Sequence, residues 1–561
     1  MTDWQRVGHL LLPDPDDIMR LAQVRDWIGG QGLNDWTQHR MGPPTGAAMH
    51  WSRINDVGVA AIILAVTPIL GRFHAELAAV LLYPALLFAC AIYLSARIGR
   101  LLWGGEAGLV AAVLTALAYP GTTVFIPGRI DHHALQVVLI QIAVFSSMRP
   151  ARGSTGAIIG LAAALSLIVG LETTPQVAAL VAFLALAWVI RGEEERLRLF
   201  GFGVALGGTT LFFLLFLRPE YWSAALCDAF TPASSTGTLA VAACLMTLAL
   251  LTRHLHGWRA RLMVGAVLGG CALIGTLLVY PACVAGPYGS VDPFLRENFL
   301  PNIDEAAGIF RQRPVRIVAF GGLMATACLV SIWIMVAKHR RWMVIAPLAA
   351  VIILSGLTML AQVRGVYIGA PLAAPMLATL ILGARRGTGG RSLLTMLAWL
   401  SGAGMAYAAG AEQVEAILTS RTAAGTPGHS RVLPPQVLCS RGEAWRQVDK
   451  LPPSKIMAGT AVAAFVVGAT HHSTVGAGYH RNDAGNMAVY RFFLGSNGQA
   501  RRIASDWRTE YVLYCPGDFG ELNPDQRYPQ SVVAALRAGR TPDWLEPIPL
   551  HGTPMRLYRV R

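Results

Sequence analysis

Residues 105–147 read GEAGLVAAVLTALAYPGTTVFIPGRIDHHALQVVLIQIAVFSS, two apolar stretches with a polar run between them. The polar run is Gly128-Arg129-Ile130-Asp131-His132-His133. Ionisable side chains are costly near lipid, so such a cluster at the mouth of a helical bundle predicts a functional site. Asp131 and His133 are two residues apart, and on an extended loop both side chains can turn the same way and bind one divalent cation. The alternative interpretation is a polar loop in which Asp131 caps the following helix.

The same apolar character runs through the first 410 residues. The chain has 561 residues, of which 54% are hydrophobic and 14% charged, and its mean hydropathy is +0.48. A helix that crosses a bilayer needs about 20 apolar residues, and roughly twelve stretches of this kind recur. Their approximate cores are 76–95, 105–124, 134–147, 154–170, 175–190, 199–217, 236–252, 260–280, 315–337, 342–360, 366–384 and 392–410. The sequence therefore predicts a polytopic α-helical membrane protein.

Basic residues cluster in alternate short loops, and this indicates the orientation of the chain, because cytoplasmic loops carry an excess of Lys and Arg. The net charge of +14 is therefore mostly topological and does not indicate a nucleic-acid partner. Counting spans from these loops places the Asp131 loop, residues 282–314, Arg364 and everything after about 411 on the outer side. The apolar stretch 57–71 is predicted to be a short re-entrant or interfacial helix. A full crossing there would separate residues 14–55 from Asp131.

A second polar constellation lies near the N-terminus. The stretch DPDDIMR occupies 14–20, and a Pro-Pro-Thr-Gly turn then leads to His50. The ordinary account is a helix start: Asp14 or Asp16 caps the helix, and acidic side chains are favoured in its first turn. That account does not exclude metal binding by one of the carboxylates.

These motifs together resemble the catalytic subunits of oligosaccharyltransferases. The DPDDIMR stretch, the Pro-x-Gly turn and His50-Trp51 are similar to that family's first external loop. The stretch 105–133, with its final Asp131-His132-His133, resembles the second acidic motif, which reads Asp-x-His in archaeal members. The family belongs to the GT-C superfamily of membrane glycosyltransferases, which use polyprenyl-phosphate or polyprenyl-diphosphate sugar donors. The resemblance covers roughly residues 12–410 and implies a GT-C fold and a glycosyltransferase activity.

The resemblance implies a set of metal ligands. They are Asp14, His50, Asp131 and His133. Asp16 and Asp17 lie so close to Asp14 that a shifted register stays open. The implied cofactor is a divalent cation, Mn²⁺ or Mg²⁺ with Zn²⁺ as an alternative, since carboxylates and imidazoles suit these ions.

Further acidic and basic residues match the family at lower specificity. Asn302-Ile303-Asp304-Glu305 is similar to the family motif whose acid helps to hold the acceptor, which implies that role for Glu305; the alternative is a first-turn acid of a surface helix. Arg364, at the outer end of a membrane helix, matches an Arg that contacts the donor phosphate, and its alternative is snorkelling. Glu172 breaks an apolar run at the outer face, either as a helix-end carboxylate or as a sugar or acceptor ligand. The resemblance thus gives catalytic roles to Asp14, Asp131 and Glu305.

The implied reaction is metal-assisted transfer of a sugar or glycan from the polyprenyl-linked donor to an acceptor at the periplasmic face of a bacterial inner membrane. The sequence lacks the Trp-Trp-Asp-Tyr-Gly motif that reads the Ser/Thr of an Asn-glycosylation sequon, so we expect an acceptor other than a sequon asparagine: a lipid, a glycan or another protein side chain. One alternative is a GT-C hexosyltransferase that modifies lipid A or polysaccharide. The non-enzymatic alternative, a transporter or flippase for lipid-linked sugars, predicts charges at the membrane midplane, which the sequence does not clearly show.

The tail after about residue 411 is predicted to be a separate soluble α/β domain. Residues 455–470 are predicted to form two short buried strands, residues 510–514 a third, and residues 530–538 a helix. Cys439 and Cys515 are the only cysteines of the tail and could pair in an oxidising periplasm. His471, His472, His480 and Arg481 either face the active site or belong to an ordinary surface loop.

Three domains follow from this reading of the chain. Residues 1–75 form the first external loop with its metal-binding motif and re-entrant helix, 76–410 the transmembrane GT-C domain, and 411–561 the periplasmic domain. Family members have a membrane helix before the first motif, whereas here Met1–Pro13 cannot span. We therefore expect about 12 spans in this sequence and 13 with that first helix.

Overall fold

The computed structural model describes residues 3–222, 227–286, 288–289, 291–388, 392–422 and 438–561. Most of this chain is helical. Its α-helices are Trp4–Val7, Pro15–Ile28, Ile54–Trp103, Gly105–Ala116, His133–Ser147, Gly153–Val169, Thr174–Arg191, Glu193–Leu215, Pro232–Leu251, Trp258–Val279, Pro293–Asn298, Pro314–Ala337, Trp342–Ala361, Gly365–Thr388, Leu393–Gly402, Gly404–Thr422, Gly442–Val448, Thr460–Ala469, Asp483–Leu494, Asn497–Asp506, Pro524–Arg527 and Val532–Arg537. The strands are β1 (Thr37–Gln38), β2 (Ala47–Ala48), β3 (Lys455–Ala458), β4 (Ser473–Thr474), β5 (Tyr511–Tyr514), β6 (Leu545–Ile548) and β7 (Arg556–Val560).

The polytopic membrane architecture predicted from the sequence is confirmed. Within the described ranges, eight helices are long and apolar enough to cross a membrane, and a ninth span forms if the pair Leu393–Gly402 and Gly404–Ile417, bent by 92°, is one span. Three predicted cores correspond to shorter apolar helices of 10–17 residues, Gly105–Ala116, His133–Ser147 and Gly153–Val169. Each of the predicted cores therefore falls on an apolar helix, although three of these helices are short and one is a bent pair.

The long helix Ile54–Trp103 contains a break that separates its first part from the membrane-spanning part. Gly71 has φ 74° and ψ 166°, a conformation that glycine adopts without the steric cost of a Cβ. The part before the break buries Val59 and Ile63. The predicted separate segment at 57–71 therefore ends where the chain bends, while its depth in a bilayer stays a prediction.

The tail contains a five-stranded mixed sheet in the order β4-β3-β5-β7-β6. Strand β3 pairs in parallel with β4 and β5, whereas β5–β7 and β7–β6 are antiparallel. All four residues of β5 are buried, so the sheet is covered on both faces. The tail strand predicted at 510–514 and the helix predicted at 530–538 are both present.

The second strand predicted within 455–470 is wrong, because Thr460–Ala469 is a helix. A short apolar run rich in valine and alanine has the same composition in a buried strand as in a buried helix, and periodicity does not separate the two. The helix Pro15–Ile28, against which this run packs, distinguishes a helix from a strand here. A Cβ added at Gly468 would lie 2.4 Å from Ile18 Cγ1 and 2.8 Å from Ile18 O. Close approach to the helix Pro15–Ile28 therefore favours the helix.

The N-terminal segment and the tail form one packed unit although they lie at opposite ends of the sequence. The segment continues the tail sheet at its β4 edge, where the Gly42 N–H donates to Thr474 O at 2.8 Å. Arg25 donates to Gly468 O and Arg40 to Thr470 O, each at 2.8 Å. This unit closes one end of the membrane helices.

Two disulfides are present among the described cysteines. Cys439 and Cys515, the predicted pair, are bonded. The bond between Cys227 and Cys283, which the sequence did not predict, joins the loop before the helix Pro232–Leu251 to the loop after Trp258–Val279. It fixes the two loops at the edge of the cavity described below.

Candidate functional site

A cavity of about 1490 Å³ lies between the membrane helices and the tail unit. Its deep part is apolar and is lined by side chains of several membrane helices, among them Leu167, Val177, Val181, Leu186, Val189, Leu206, Leu245, Leu262 and Leu273. Its mouth is polar and is lined by Asp14, Asp16, His50, His132, His133, Glu172, Asp228, Glu305, Arg364, His480, Asp518 and Glu521. The cavity therefore fits a molecule with a polar head and a long apolar chain.

Asp131, His132 and His133 form a buried cluster beside the mouth. Each offers one ligand atom, and these atoms lie within 4.8 Å of one another. His132 Nδ1 lies 2.6 Å from Asp131 Oδ1, and His133 Nε2 lies 3.4 Å from Asp131 Oδ2. Asp131 Oδ2 is buried and has no hydrogen-bond partner. A bound cation would satisfy this oxygen, so the donor set fits a divalent metal ion.

The local backbone differs from the extended loop assumed from the sequence. His132 has φ −69° and ψ −16°, and the helix His133–Ser147 begins immediately after it. The chain turns helically, so alternation of side chains does not apply, and His132 joins Asp131 and His133 instead of pointing away. Sequence reasoning missed His132 for this reason.

Arg20 supports the cluster from the N-terminal helix. Its guanidinium is fully buried, donates to Asp56 Oδ1 at 2.8 Å and lies 3.4 Å from Asp131 Oδ1. It also lies 3.1 Å from His132 Nδ1 and stacks over the Trp51 ring at 4.5 Å. Arg20 stands in the DPDDIMR stretch, but its partners are 36 and 111 residues away, and the sequence alone did not reveal them.

The three N-terminal aspartates occupy different positions. Asp14 caps the helix Pro15–Ile28 by accepting the Asp16 N–H at 3.0 Å, and its carboxylate pairs with Arg129 at 2.7 Å. Asp17 accepts the backbone N–H groups of Ile130 and Asp131 at 2.9 Å each and so holds the Asp131 loop. Asp14 and Asp16 line the cavity. Their metal-binding roles stay predictions, and neither is part of the three-residue cluster.

The charges of the mouth favour cation binding. Burial raises the pKa of Asp16 well above its usual range, and the carboxylates of Asp14 and Asp131 raise it further. Burial alone would also raise the pKa of Asp131, but His132 and His133 hold it well below its usual range. Asp16 therefore lies among like charges, and a divalent ion at the mouth would relieve their repulsion.

His50 lies in the cavity wall beside the cluster rather than inside it. Its ring centroid is 4.5 Å from that of Trp51 and 6.3 Å from that of His132. Burial lowers the pKa of His50 to about 3, and the neighbouring His480 lowers it further. His50 is therefore neutral, the form that binds metals, but its role as a ligand stays a prediction.

Glu172, Glu305 and Arg364 surround the cluster on its cavity side. Glu172 Oε2 lies 3.4 Å from His132 Nε2, and Glu305 Oε2 lies 3.6 Å from His133 Nε2. Arg364 Nη1 lies 3.8 Å from Glu172 Oε1, and the buried Arg364 Nε has no hydrogen-bond partner. The structure thus brings together residues that are far apart in sequence, while their roles toward donor and acceptor stay predictions.

The tail histidines separate into two groups. His471 is half-exposed and pairs with Asp449, and the buried His472 lies close to Val448 O within the tail. His480 lines the cavity, and Arg481 follows it with its guanidinium on Asp228. Sequence reasoning named His480 and Arg481 but missed Asp228.

The fold of the chain is that of archaeal oligosaccharyltransferases. AglB from Archaeoglobus fulgidus, in complex with an inhibitory peptide and a dolichol-phosphate, superposes with a TM-score of 0.62 at 15% identity, covering 89% of this chain and 65% of that one. The Archaeoglobus fulgidus enzyme tethered to an acceptor peptide with the NVT sequon gives 0.58 at 15% identity, with 90% and 65% covered. Its complex with Zn and sulfate gives 0.57 at 14% identity, with 90% and 64% covered. The chain thus spans slightly under two thirds of the length of these structures. Neither a protein-family model nor a curated protein sequence matches it.

Proposed function

We propose that this chain is a membrane glycosyltransferase that moves a sugar or glycan from a polyprenyl-phosphate or polyprenyl-diphosphate donor to an acceptor at the outer face of the membrane. The observation that carries the proposal is the cavity: a buried Asp131-His132-His133 cluster at its mouth continues into an apolar groove between membrane helices. The likeness of fold to the Archaeoglobus fulgidus oligosaccharyltransferase, one of whose structures contains a dolichol-phosphate, supports this donor class.

The donor would bind with its lipid chain along the apolar groove and its phosphate at the mouth. Arg364 would bind the phosphate, because its guanidinium is buried beside the cavity and its Nε lacks a partner. A planar guanidinium matches phosphate oxygens with two parallel hydrogen bonds. Glu172, 3.8 Å away, would keep the guanidinium oriented toward the cavity.

A divalent cation would be held by Asp131 with His132 or His133. When bound, it would neutralise the charge that develops on the leaving phosphate. Arg20 would orient Asp131, and Asp17 would hold the backbone of its loop. Glu305, which contacts His133 and lines the cavity, would bind the acceptor. A metal ion, Mn²⁺, Mg²⁺ or Zn²⁺, fits this set, and the Archaeoglobus fulgidus structure with Zn supports a metal-binding role for the fold.

The acceptor would differ from a sequon asparagine. The relative tethered to an NVT peptide reads such an acceptor, whereas the tail here lacks the Trp-Trp-Asp-Tyr-Gly motif. The acceptor would then be a lipid, such as lipid A, a glycan, such as a polysaccharide, or another protein side chain. Transport of lipid-linked sugars is disfavoured, because the ionisable cluster lies at one end of the helices, where a transferase would use it.

The orientation is also part of the proposal. Basic loops alternate along the spans, and the mouth of the cavity lies on the loops that are poorer in such clusters, so the site and the tail would face the periplasm of a bacterial inner membrane. The two disulfides of the described residues join loops on this side and support an oxidising compartment.

The test is metal-dependent transfer by the full chain in membranes with a radiolabelled polyprenyl-linked sugar. Asp131→Ala and His133→Ala, as well as EDTA, should abolish transfer, and Mn²⁺ should restore it to the EDTA-treated wild type but not to the variants. His471→Ala is the matched control, because this histidine is paired in the tail and does not line the cavity. Full transfer by both cluster variants would refute the assignment.

A further inference from the structure

A second polar group lies in the same cavity, on the tail side. His480 Nε2 and Asp228 Oδ2 are 2.5 Å apart, and their side chains are 12% and 10% exposed. Both residues line the cavity. Asp228 lies next to Cys227, whose disulfide to Cys283 fixes the loop that carries it. The pair therefore belongs to a fixed part of the wall although its members are 252 residues apart.

Asp228 is held as a carboxylate by two neighbours. Burial alone would raise its pKa, but His480 and Arg481 bring the pKa well below the usual range. Arg481 donates from Nη2 to Oδ1 at 2.7 Å and from Nε to Oδ2 at 3.3 Å. An ionised Asp228 accepts the hydrogen bond from His480 Nε2. In the neutral imidazole this arrangement places the proton on Nε2 and the lone pair on Nδ1.

The position of His480 relative to the metal cluster fits a part in the transfer. Its ring centroid lies 5.1 Å from that of Tyr288 and 5.7 Å from that of His50, whose ring is in turn 6.3 Å from His132. One imidazole therefore separates the two groups. In such a transfer, neighbouring atoms lie about 2–3.5 Å apart along a row that runs from the cation to the leaving phosphate oxygen, then to the anomeric carbon and the attacking oxygen. We expect such a row to lie between the cluster and His480.

We propose that His480, oriented by Asp228, is the general base that takes the proton of an acceptor hydroxyl group; this inference rests on the glycosyl transfer proposed above. Nδ1 accepts the hydroxyl proton while the hydroxyl oxygen forms a bond to the anomeric carbon. The bond from that carbon to the phosphate oxygen breaks, and its electron pair leaves with the phosphate. No oxidant or further reactant is needed. The acceptor class is thereby an alcohol, such as a sugar or a hydroxylated side chain, rather than an amide.

The chemistry of the hydroxyl group explains why a general base points to an alcohol as acceptor. A hydroxyl oxygen becomes a strong nucleophile as it loses its proton, and a positioned base accelerates that step by roughly 10²–10⁴-fold. Asp228 acts through His480 and is a positioning residue. Arg481 in turn positions Asp228 with two hydrogen bonds.

The test uses the full chain in membranes of its own host, which supply the acceptor, with a radiolabelled polyprenyl-diphosphate sugar. His480→Ala should lower transfer about 100-fold or more, while the dissociation constant of the donor changes by less than about threefold. Added imidazole should restore transfer at least about 10-fold in His480→Ala and leave the wild type unchanged, because a free base can enter the vacated space. A merely structural histidine would not respond to imidazole.

His480→Gln guards against misfolding, because its amide can still donate to Asp228 but cannot act as a base. It should bind the donor as the wild type does and transfer as slowly as His480→Ala. Asp228→Asn should also lower transfer, and Asp228→Glu should recover part of it by keeping a carboxylate partner for the ring. The proposal is overturned if His480→Gln transfers at more than about a third of the wild-type rate. It is equally overturned if imidazole restores nothing while donor binding is intact. Failure of the wild type to show metal-dependent transfer would instead refute the proposed function itself.

Discussion

The buried guanidinium of Arg20 allows a quantitative prediction about how the site is held together. Arg20 and Asp56 have side-chain exposures of 0% and 1%, and Nη1 lies 2.8 Å from Oδ1. Arg20→Met keeps most of the side-chain length but leaves Asp56 with one remaining cation, Arg53, at 3.4 Å. Removal of one partner of a buried ion pair costs about 3–5 kcal/mol where it leaves a charge uncompensated, and Arg53 at 3.4 Å compensates Asp56 only in part. We expect a loss of this size in the free energy of unfolding.

A double variant separates the charge from the packing. In Arg20→Met with Asp56→Asn the charge of Asp56 is gone, so part of the lost stability should return; the rest stays lost, because the buried Arg53 then lacks its carboxylate partner and Asp131 still lacks Arg20. Arg25→Met on the same helix is the matched control: Arg25 is 31% exposed, and its partner Glu76 keeps Arg72 at 2.6 Å. At that exposure we expect a loss of only about 1 kcal/mol.

The assay is equilibrium unfolding in mixed micelles, followed by tryptophan fluorescence, together with cation affinity by titration calorimetry. Because Arg20 also contacts Asp131, the single variant should weaken cation binding about 10–100-fold, as expected for loss of a partner that orients a ligand. Equal stabilities of Arg20→Met and Arg25→Met, or a double variant as unstable as the single one, would refute this reasoning.

Three further predictions concern the tail. Gly468→Val should lower the free energy of unfolding by about 1–3 kcal/mol, because a Cβ at this position would lie 2.4 Å from Ile18 Cγ1. The loss should appear as a lower Tm. An unchanged Tm would mean that the two helices can move apart without cost. Replacement of Cys515 by Ser should cost about 2–4 kcal/mol through loss of the bond to Cys439, and the loss should appear as a lower Tm under oxidising conditions. Reduction should then lower the Tm of the variant by less than that of the wild type, because only the bond between Cys227 and Cys283 is left to break. Burial raises the pKa of Asp518 to about 7, so its contribution to stability is fully present below pH 4 and lost as pH rises through 7. Asp518→Asn should therefore flatten the fall in stability between about pH 4 and 7, and an unchanged pH profile would contradict the assignment.

The membrane architecture could be predicted because the apolar stretches carry their own signal. Each predicted core corresponds to an apolar helix, and the difference lies in length: Gly105–Ala116 ends early and is followed by a turn into the 3₁₀-helix Gly121–Phe125. Composition reports that a stretch is apolar but not where a helix ends, because an end depends on which backbone groups find partners.

The site residues that could be predicted are those that stand in a recognisable motif or interrupt an apolar stretch. Asp131 and His133 stand in one motif, whereas His132 was missed because its helical backbone brings its ring to the same side. Asp228 has no local signal, since its partner His480 lies 252 residues away. Long-range partners of this kind follow from the tertiary fold and not from spacing.

The union of the N-terminal segment with the tail has a consequence for biosynthesis. The helix Pro15–Ile28, which carries Asp17 and Arg20, packs on Thr460–Ala469, and the Gly42 N–H bonds Thr474 O. A ribosome that adds about 5–20 residues per second delivers the second partner tens of seconds after the first. The N-terminal helix therefore stays incompletely covered while the membrane helices between it and the tail are made. The covering of this helix is completed only when the tail has been made, so a chain that ends before residue 460 has its membrane helices but lacks the packing partner of Pro15–Ile28.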